Sequence, residues 1–403
     1  MGALFTLAVA LAFATASRTV FSPLQQLVAT DLRLGDFELS LVQGLAASLP
    51  VALLSIPVGQ WVDRANRIRL LFGLLAVSVA GTLLTAMAHG FWPLFLARML
   101  AGTGATCALP VAISVVADLA PPERRGRALL GLSLGNMAGA ALAFGLAGAL
   151  LRWHGADAWR SVHVDFAVAG LLVLGMVALL HEPPRREVTV TGTLPLRATI
   201  AALWQRRRLL LPLFIGQVTV VMADTAAGIW MAPVITRRFG QTPEQFAGWS
   251  GLVILVGGLG GSILGALSAD WGQTRRLPGG LLGGAVVAAG LSIPAAFYPL
   301  MPSPLSFACT LCLFLTCGAV TGLVTATAIA VRVPNELRGV CLGAFVVIGA
   351  LIGFGLAPTL VTWVSTALGG SARLPLALAM VGVATSAIAF VGFLLAAREA
   401  RPV

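Results

Sequence analysis

Gly59-Gln60-Trp61-Val62-Asp63-Arg64-Ala65-Asn66-Arg67 closes the second long apolar run of this 403-residue chain, and a degenerate copy, Gly265 to Asp270 and then Arg275-Arg276, closes the eighth. Asp270 follows Asp63 by 207 residues (270 minus 63), about half the chain. A second pair repeats at nearly the same offset. Pro121-Pro122-Glu123-Arg124-Arg125-Gly126 follows the fourth run, Pro334-Asn335-Glu336-Leu337-Arg338-Gly339 follows the tenth, and Gly339 lies 213 residues after Gly126 (339 minus 126). Two independent motifs at one offset describe a chain made of two halves rather than a short solenoid period.

Composition says what the halves are made of. Charged residues are 10% of the chain, against about 25% in soluble proteins. Hydrophobic residues are 58%, and the 46 glycines are spread through the apolar runs. A hydrocarbon core about 30 Å thick needs about 20 apolar residues per crossing helix. The sequence predicts spans near 2–25, 39–61, 70–88, 92–117, 128–151, 162–180, 209–235, 247–269, 278–298, 305–331, 340–364 and 374–397. The expected fold is an all-α polytopic membrane protein of twelve transmembrane helices in two pseudo-symmetric six-helix bundles. The bundles are read as 1–180 and 209–403, joined by a cytoplasmic linker over 181–208. In that linker Leu196, Ile200, Leu203 and Trp204 share one face of an expected interfacial helix ending in Arg206-Arg207-Arg208. A plain tether, whose arginines only fix topology, is the other reading.

The net charge of +11 resembles a nucleic-acid signature until the basic residues are placed, all 26 of them arginine. With both termini cytoplasmic, eighteen arginines flank that side and six (Arg33, Arg152, Arg160, Arg237, Arg238, Arg373) the other, as the positive-inside rule requires. The charge therefore reports topology in a cell (inner) membrane and no nucleic-acid partner. Without a lysine the chain lacks the residue that a Walker A loop or a Schiff base requires, so neither an ATP-driven pump nor an enzyme of that kind is expected. Cys107, Cys309, Cys312, Cys317 and Cys341 all fall in predicted spans. The Cys309 and Cys312 spacing suits a metal, but no histidine is near to complete a site, so they read as small packing residues and no metal or cofactor is expected. Ala14-Thr15-Ala16 resembles a signal-peptidase site, yet no basic residue precedes it and cleavage would break the symmetry.

These features resemble the major facilitator superfamily, whose signature loop between helices 2 and 3 is similar to Gly59 to Arg67. Within it the chain is most similar to the spinster-like branch. The stretches that carry this are Ser17-Arg18, Asp31 to Asp36, Arg98 with Gly102 and Gly104, Pro121 to Arg127, Trp159-Arg160, Glu182 to Arg185, Trp230 to Pro233, and Pro334 to Gly339 leading to Gly355 to Pro358. The resemblance implies a secondary transporter working by alternating access. It also implies a cytoplasmic latch in which Asp63 meets the start of span 11 near Gly339 and the arginines of the 121–127 loop. The gating set is Gly59, Asp63, Arg64, Arg67, Arg125, Asp270 and Arg338; a cluster that only fixes topology is the alternative. Asn66 stands where the family usually has glycine and is expected to tolerate a left-handed turn. Two glycine stripes, Gly131, Gly135 and Gly139 in span 5 and Gly257, Gly261 and Gly265 in span 8, are read as the sliding surface between halves, with static packing as the alternative.

Three ionisable side chains are counted within spans: Arg18, Arg98 and Asp224. Such groups are costly in lipid and mark a cavity or a partner, although the two arginines have the option of snorkelling to the outer surface. The resemblance implies that helices 1, 4, 7 and 10 line a central cavity. Thr15, Gln25, Thr103, Gln217, Trp230 and Thr321 join the three charges as substrate-binding candidates, each with helix-to-helix glue as its bland reading. The spinster-like pattern has acidic residues where this chain has Ser17 and Ala105, leaving Asp224 as the proton-coupling candidate. Two guanidiniums and one carboxylate suit a small amphipathic, anionic or lipid-like substrate, moved by a monomer in contact with the lipid bilayer. A proton-coupled multidrug exporter using Asp224 and a non-transporting sensor are the rival readings.

Overall fold

The computed structural model describes residues 2–121, 125–155, 158–185, 196–274 and 280–399. Among them there is no strand. Backbone N–H and C=O groups in hydrocarbon must be satisfied inside their own segment, and helices do this with local bonds. Twelve helical spans are present: Gly2–Leu32, Asp36–Ser55, Arg67–Ala86, Phe91–Leu119, Arg127–His154, Trp159–Ala178, Arg207–Phe239, Pro243–Thr274, Gly280–Leu300, Pro304–Arg332, Val340–Ala367 and Ser371–Glu399. Each predicted run contains one. Several helices outrun the apolar segment because polar residues at the ends still continue the backbone bonds; the second helix reaches Arg64.

Local sequence sets the ends and the irregularities. Ser303 caps span 10, its hydroxyl accepting from the Ser306 N–H at 3.2 Å, and Gly155 and Gly240 leave spans 5 and 7 in left-handed backbone that other residues adopt reluctantly. Pro23 breaks span 1 into helices Gly2–Thr19 and Phe21–Leu32, because its ring and missing N–H disturb the turn before it. Wider π-type turns interrupt span 2 at Leu41–Leu45 and span 11 at Gly349–Leu356.

Contacts divide the chain into two units, residues 1–189 with 235–255 and residues 190–234 with 256–403. The core of the first joins Leu7 and Leu11, Leu71 and Leu75, Val111 and Val115, and Val177, from spans 1, 3, 4 and 6. The core of the second joins Leu213, Leu282 and Ala285, Val320 and Val324, and Phe393, from spans 7, 9, 10 and 12. These are the same four positions of the repeat in each half. The linker helix Leu196–Gln205 is present. Its Leu203 is half-buried against the second core, whereas Trp204 is 60% exposed, so the two do not share a packed face. The side chains of Leu196 and Ile200 lie outside the described residues.

Two expectations need correction. The glycine stripes pack within their halves: a Cβ at Gly139 would strike the Ala12 carbonyl of span 1, and one at Gly261 the Thr316 carbonyl of span 10. The approach of spans 5 and 8 in the first unit instead uses Gly148 against Ala247 and Gly251 against Ala141. Asn66 is not left-handed. Its φ is −69° and ψ 114°, and its side chain accepts from the Arg69 N–H, so it is the N-cap of span 3. Asn serves there because its side-chain oxygen satisfies a helix N–H that glycine would leave open. Gly139→Val is expected to lower stability by about 1–3 kcal/mol through overpacking, while Gly131→Val, where nothing lies within 4 Å of the added Cβ, leaves the melting temperature in detergent unchanged.

Candidate functional site

Arg98 projects from span 4 onto the break in span 1. The Pro23 kink loosens the end of the Gly2–Thr19 helix, and Arg98 Nη2 donates to the Arg18 carbonyl there at 2.6 Å, a cation at a helix C-terminus. Its guanidinium carbon stands 4.8 Å from the centre of the Phe21 ring. Arg98 is 3% exposed, so it does not snorkel. Its Nε and Nη1 have no hydrogen-bond partner among the described residues. Arg18 is half-buried. On the other side of Phe21, His163 is fully buried, donates from Nδ1 to the Trp159 carbonyl at 2.8 Å, and leaves Nε2 unmatched. At Ser17, where an acidic residue was expected from the family pattern, a hydroxyl cluster forms instead: Ser17 contacts Thr82, and Ser78 at 3.4 Å. Ala105 is buried.

Asp224 lies in the other unit. It makes no ion pair or hydrogen bond with the described residues, so no arginine holds it. It lines a cavity of about 10 Å³ with Ser292, Phe314, Cys317, Gly318, Thr321 and Ser386, room for roughly one water. A Cβ at Gly318 would strike the Asp224 carboxylate, so span 10 closes directly upon it. Cys317 is also a wall of a much larger apolar groove, about 650 Å³, between spans 8, 9 and 10, lined by Leu264, Trp271, Val287, Leu291 and Leu313 among others.

Of the remaining candidates, Thr15, Gln25, Gln217 and Trp230 tie helices together, while Thr103 and Thr321 bond within their own helix. Thr15 bonds Asn136, Gln25 accepts from Gln43 at 2.7 Å, and Thr103 donates to its own helix at the Met99 carbonyl. Gln217 accepts from Thr325 at 3.0 Å, Trp230 donates to the Pro358 carbonyl at 3.2 Å, and Thr321 donates to the Gly318 carbonyl at 2.8 Å. Thr15, Arg18, Gln25, Arg98 and Thr103 fall in one unit, and Gln217, Asp224, Trp230 and Thr321 in the other. The count of three ionisable groups in spans was too low. His163 and Asp165 also lie in span 6, Asp165 paired with His154 at 2.7 Å; both were visible in the sequence within the predicted 162–180 run.

The sequence pattern of the Major Facilitator Superfamily matches residues 7–358. The chain belongs to this superfamily. It is a multi-pass membrane protein of a family of transporters rather than of enzymes. Among curated relatives of this major facilitator, the 3-(3-hydroxy-phenyl)propionate transporter of Escherichia coli (strain K12) is 34% identical over 232 residues, 56% of this chain and 53% of that one. A probable sugar efflux transporter of Haemophilus influenzae (strain PittGG) is 26% identical over 215 residues, 53% of this chain and 52% of that one. The matches span about half the length of these curated relatives. The fold matches the crystal structure of a bacterial homologue of the human lysosomal transporter Spinster, inward-facing and unoccupied, with a TM-score of 0.82 at 23% identity over 98% of this chain and 96% of that one. It also matches a D-xylose-proton symporter, with a TM-score of 0.71 at 17% identity over 96% of each chain.

The signature loop of this major facilitator is organised by Arg67. It is 2% exposed. It pairs with Asp118 at the end of span 4 and, at 2.7 Å, with Glu182 after span 6, and donates to the Ser114 and Pro183 carbonyls at 3.1 Å each. Glu182 also accepts from the Ile68 N–H at 3.0 Å, and Arg185 donates to the Val62 and Ala65 carbonyls at 2.9 Å each. The start of the linker is thereby strapped onto the loop. Gly59, Arg64 and Asp270 are exposed. Arg338 donates to the Ala330 and Val333 carbonyls at the end of span 10. The side chains of Asp63 and Arg125, and Gly339, lie outside the described residues. A pair missed in the sequence joins the end of span 7 to the start of span 2 within the first unit: Arg237 grips Asp36, at 2.8 Å from Nη1, and Gln26. Removing one partner of a buried ion pair is strongly destabilising, so Arg67→Ala is expected to reduce stability by about 3 kcal/mol and Arg64→Ala hardly at all, read by thermal unfolding in detergent.

Proposed function

We propose that this major facilitator moves a small amphipathic compound with an anionic head, lipid-like or an aryl carboxylate, by alternating access. It acts as a monomer and a facilitator in the cell's inner membrane, with both termini cytoplasmic. The observation that carries the reading is Arg98, a buried guanidinium with two N–H groups unmatched. An unsatisfied buried donor costs about 1–3 kcal/mol, and an anionic headgroup would relieve it. The arginine distribution supports the orientation, and an aryl group bearing a carboxylate is what the name of the Escherichia coli relative specifies. In proteoliposomes, 3-(3-hydroxyphenyl)propionate and a lysophospholipid serve as probes. Exchange of at least one, independent of a pH gradient and reduced tenfold or more by Arg98→Gln, is the expected result; equal flux in wild type and Arg98→Gln overturns the anion reading.

A second reading, proton-coupled export through Asp224, is favoured by the absence of a cationic partner for that carboxylate among the described residues. It expects a gradient-driven flux that Asp224→Asn abolishes.

Gating in this proposal uses Asp63, with Arg125 and Arg338, on the cytoplasmic side and the Arg237 grip on Asp36 outside, while Arg67 braces the loop that carries Asp63. Asp63→Asn should raise maleimide labelling of reporter cysteines on the cytoplasmic side, and Asp36→Asn that of reporters on the outer side. Unchanged labelling in both counts against alternating access through these contacts.

A further inference from the structure

The chamber around Asp224 is too small for an organic head. It holds about 10 Å³, and oxygens dominate its polar lining: the Asp224 carboxylate with the hydroxyls of Ser292, Thr321 and Ser386. Two of those hydroxyls have committed their hydrogens elsewhere. Thr321 donates to the Gly318 carbonyl and Ser292 to the Ala289 carbonyl, each at 2.8 Å, so what they offer the chamber is lone pairs. Tyr298, 2% exposed, adds a buried hydroxyl with no partner among the described residues, within electrostatic reach of the carboxylate. Span 10 seals the other side, since Gly318 leaves no space between backbone and carboxylate.

The carboxylate has no ion pair among the described residues, and two of the hydroxyls beside it offer only lone pairs. A proton satisfies only one of these oxygens. A bare monovalent cation satisfies several at once and balances the single negative charge, and hard cations of this kind take oxygen ligands. The size of the chamber favours Na⁺, smaller than a water molecule, over K⁺. We propose that Asp224, Thr321, Ser292 and Ser386 form a Na⁺ site in the second half of this transporter, closed by Gly318 and adjoined by Tyr298. This does not rest on the identity of the carried compound.

The test uses the purified full chain in nanodiscs without substrate, at constant ionic strength set by choline chloride. Saturable ²²Na⁺ binding near one ion per chain is expected, with a melting temperature that rises with Na⁺ as ligand linkage demands and does not rise with K⁺. Asp224→Asn should weaken binding at least tenfold. Thr321→Val and Ser386→Ala, which remove single oxygens, should weaken it several-fold and serve if Asp224→Asn does not fold. The other titratable groups facing Asp224 are Tyr298 and Cys317, so the titrations are repeated at two pH values. Stability that follows pH with no Na⁺ response, or Na⁺ binding that all three variants leave intact, overturns the proposal. Because no substrate is present, failure here leaves the substrate reading standing, and failure of the flux assay leaves this one.

Discussion

A guanidinium inside a bilayer has to find compensation within the protein, and the two buried arginines Arg67 and Arg98 of the first half show what that constraint does. Arg67 is fully compensated by two carboxylates and two carbonyls, and as a result fixes the ends of spans 3, 4 and 6 to one another. Arg98 receives one carbonyl and one aromatic face. Only the first is a closed arrangement. The same rule, that buried polar groups are matched unless something else matches them, makes Arg67 a brace and Arg98 a candidate contact for a ligand.

The fold was legible in the sequence because its cause is coarse. Hydrocarbon thickness sets span length, and the Asp63/Asp270 and Gly126/Gly339 offsets expose the duplication without any side-chain detail. Contacts between helices were less legible. A stripe such as Gly257, Gly261 and Gly265 says that a helix has one flat face but not which neighbour lies on it, and the neighbour is span 10 of the same half. Asn66 failed for a related reason: its residue type fits both a left-handed turn and an N-cap, and only the backbone decides between them. His163 and Asp165 lie in the predicted 162–180 run, where residue type alone marks them as ionisable groups within a span.

The two halves share a scaffold and differ in charge. Residues of spans 1, 3, 4 and 6 dominate one core, and those of spans 7, 9, 10 and 12 the other. In the first half Arg98 sits within span 4 against one carbonyl and one aromatic face, and in the second Asp224 lies within span 7 with no ion pair to the described residues. Duplication gave both halves the same packing problem, and the unpaired charges are where they diverged. That divergence is expected of positions serving a ligand rather than the fold, since the packing they sit in is reproduced without them.

Ser17 shows how the divergence affects energetics. A carboxylate there would stand beside the Arg18 and Arg98 segment and neutralise it. With serine the position closes into a hydroxyl cluster with Ser78 and Thr82. In the anion reading proposed above, the ligand's charge is met in the first half at Arg98. Coupling to a cation, where it occurs, then falls to the half that keeps a carboxylate. Gly318 places span 10 directly against that carboxylate, so any change in what Asp224 holds is felt first by the backbone of span 10. The anion and the cation would thus act on different halves, and a transporter built this way responds to each through a separate set of contacts.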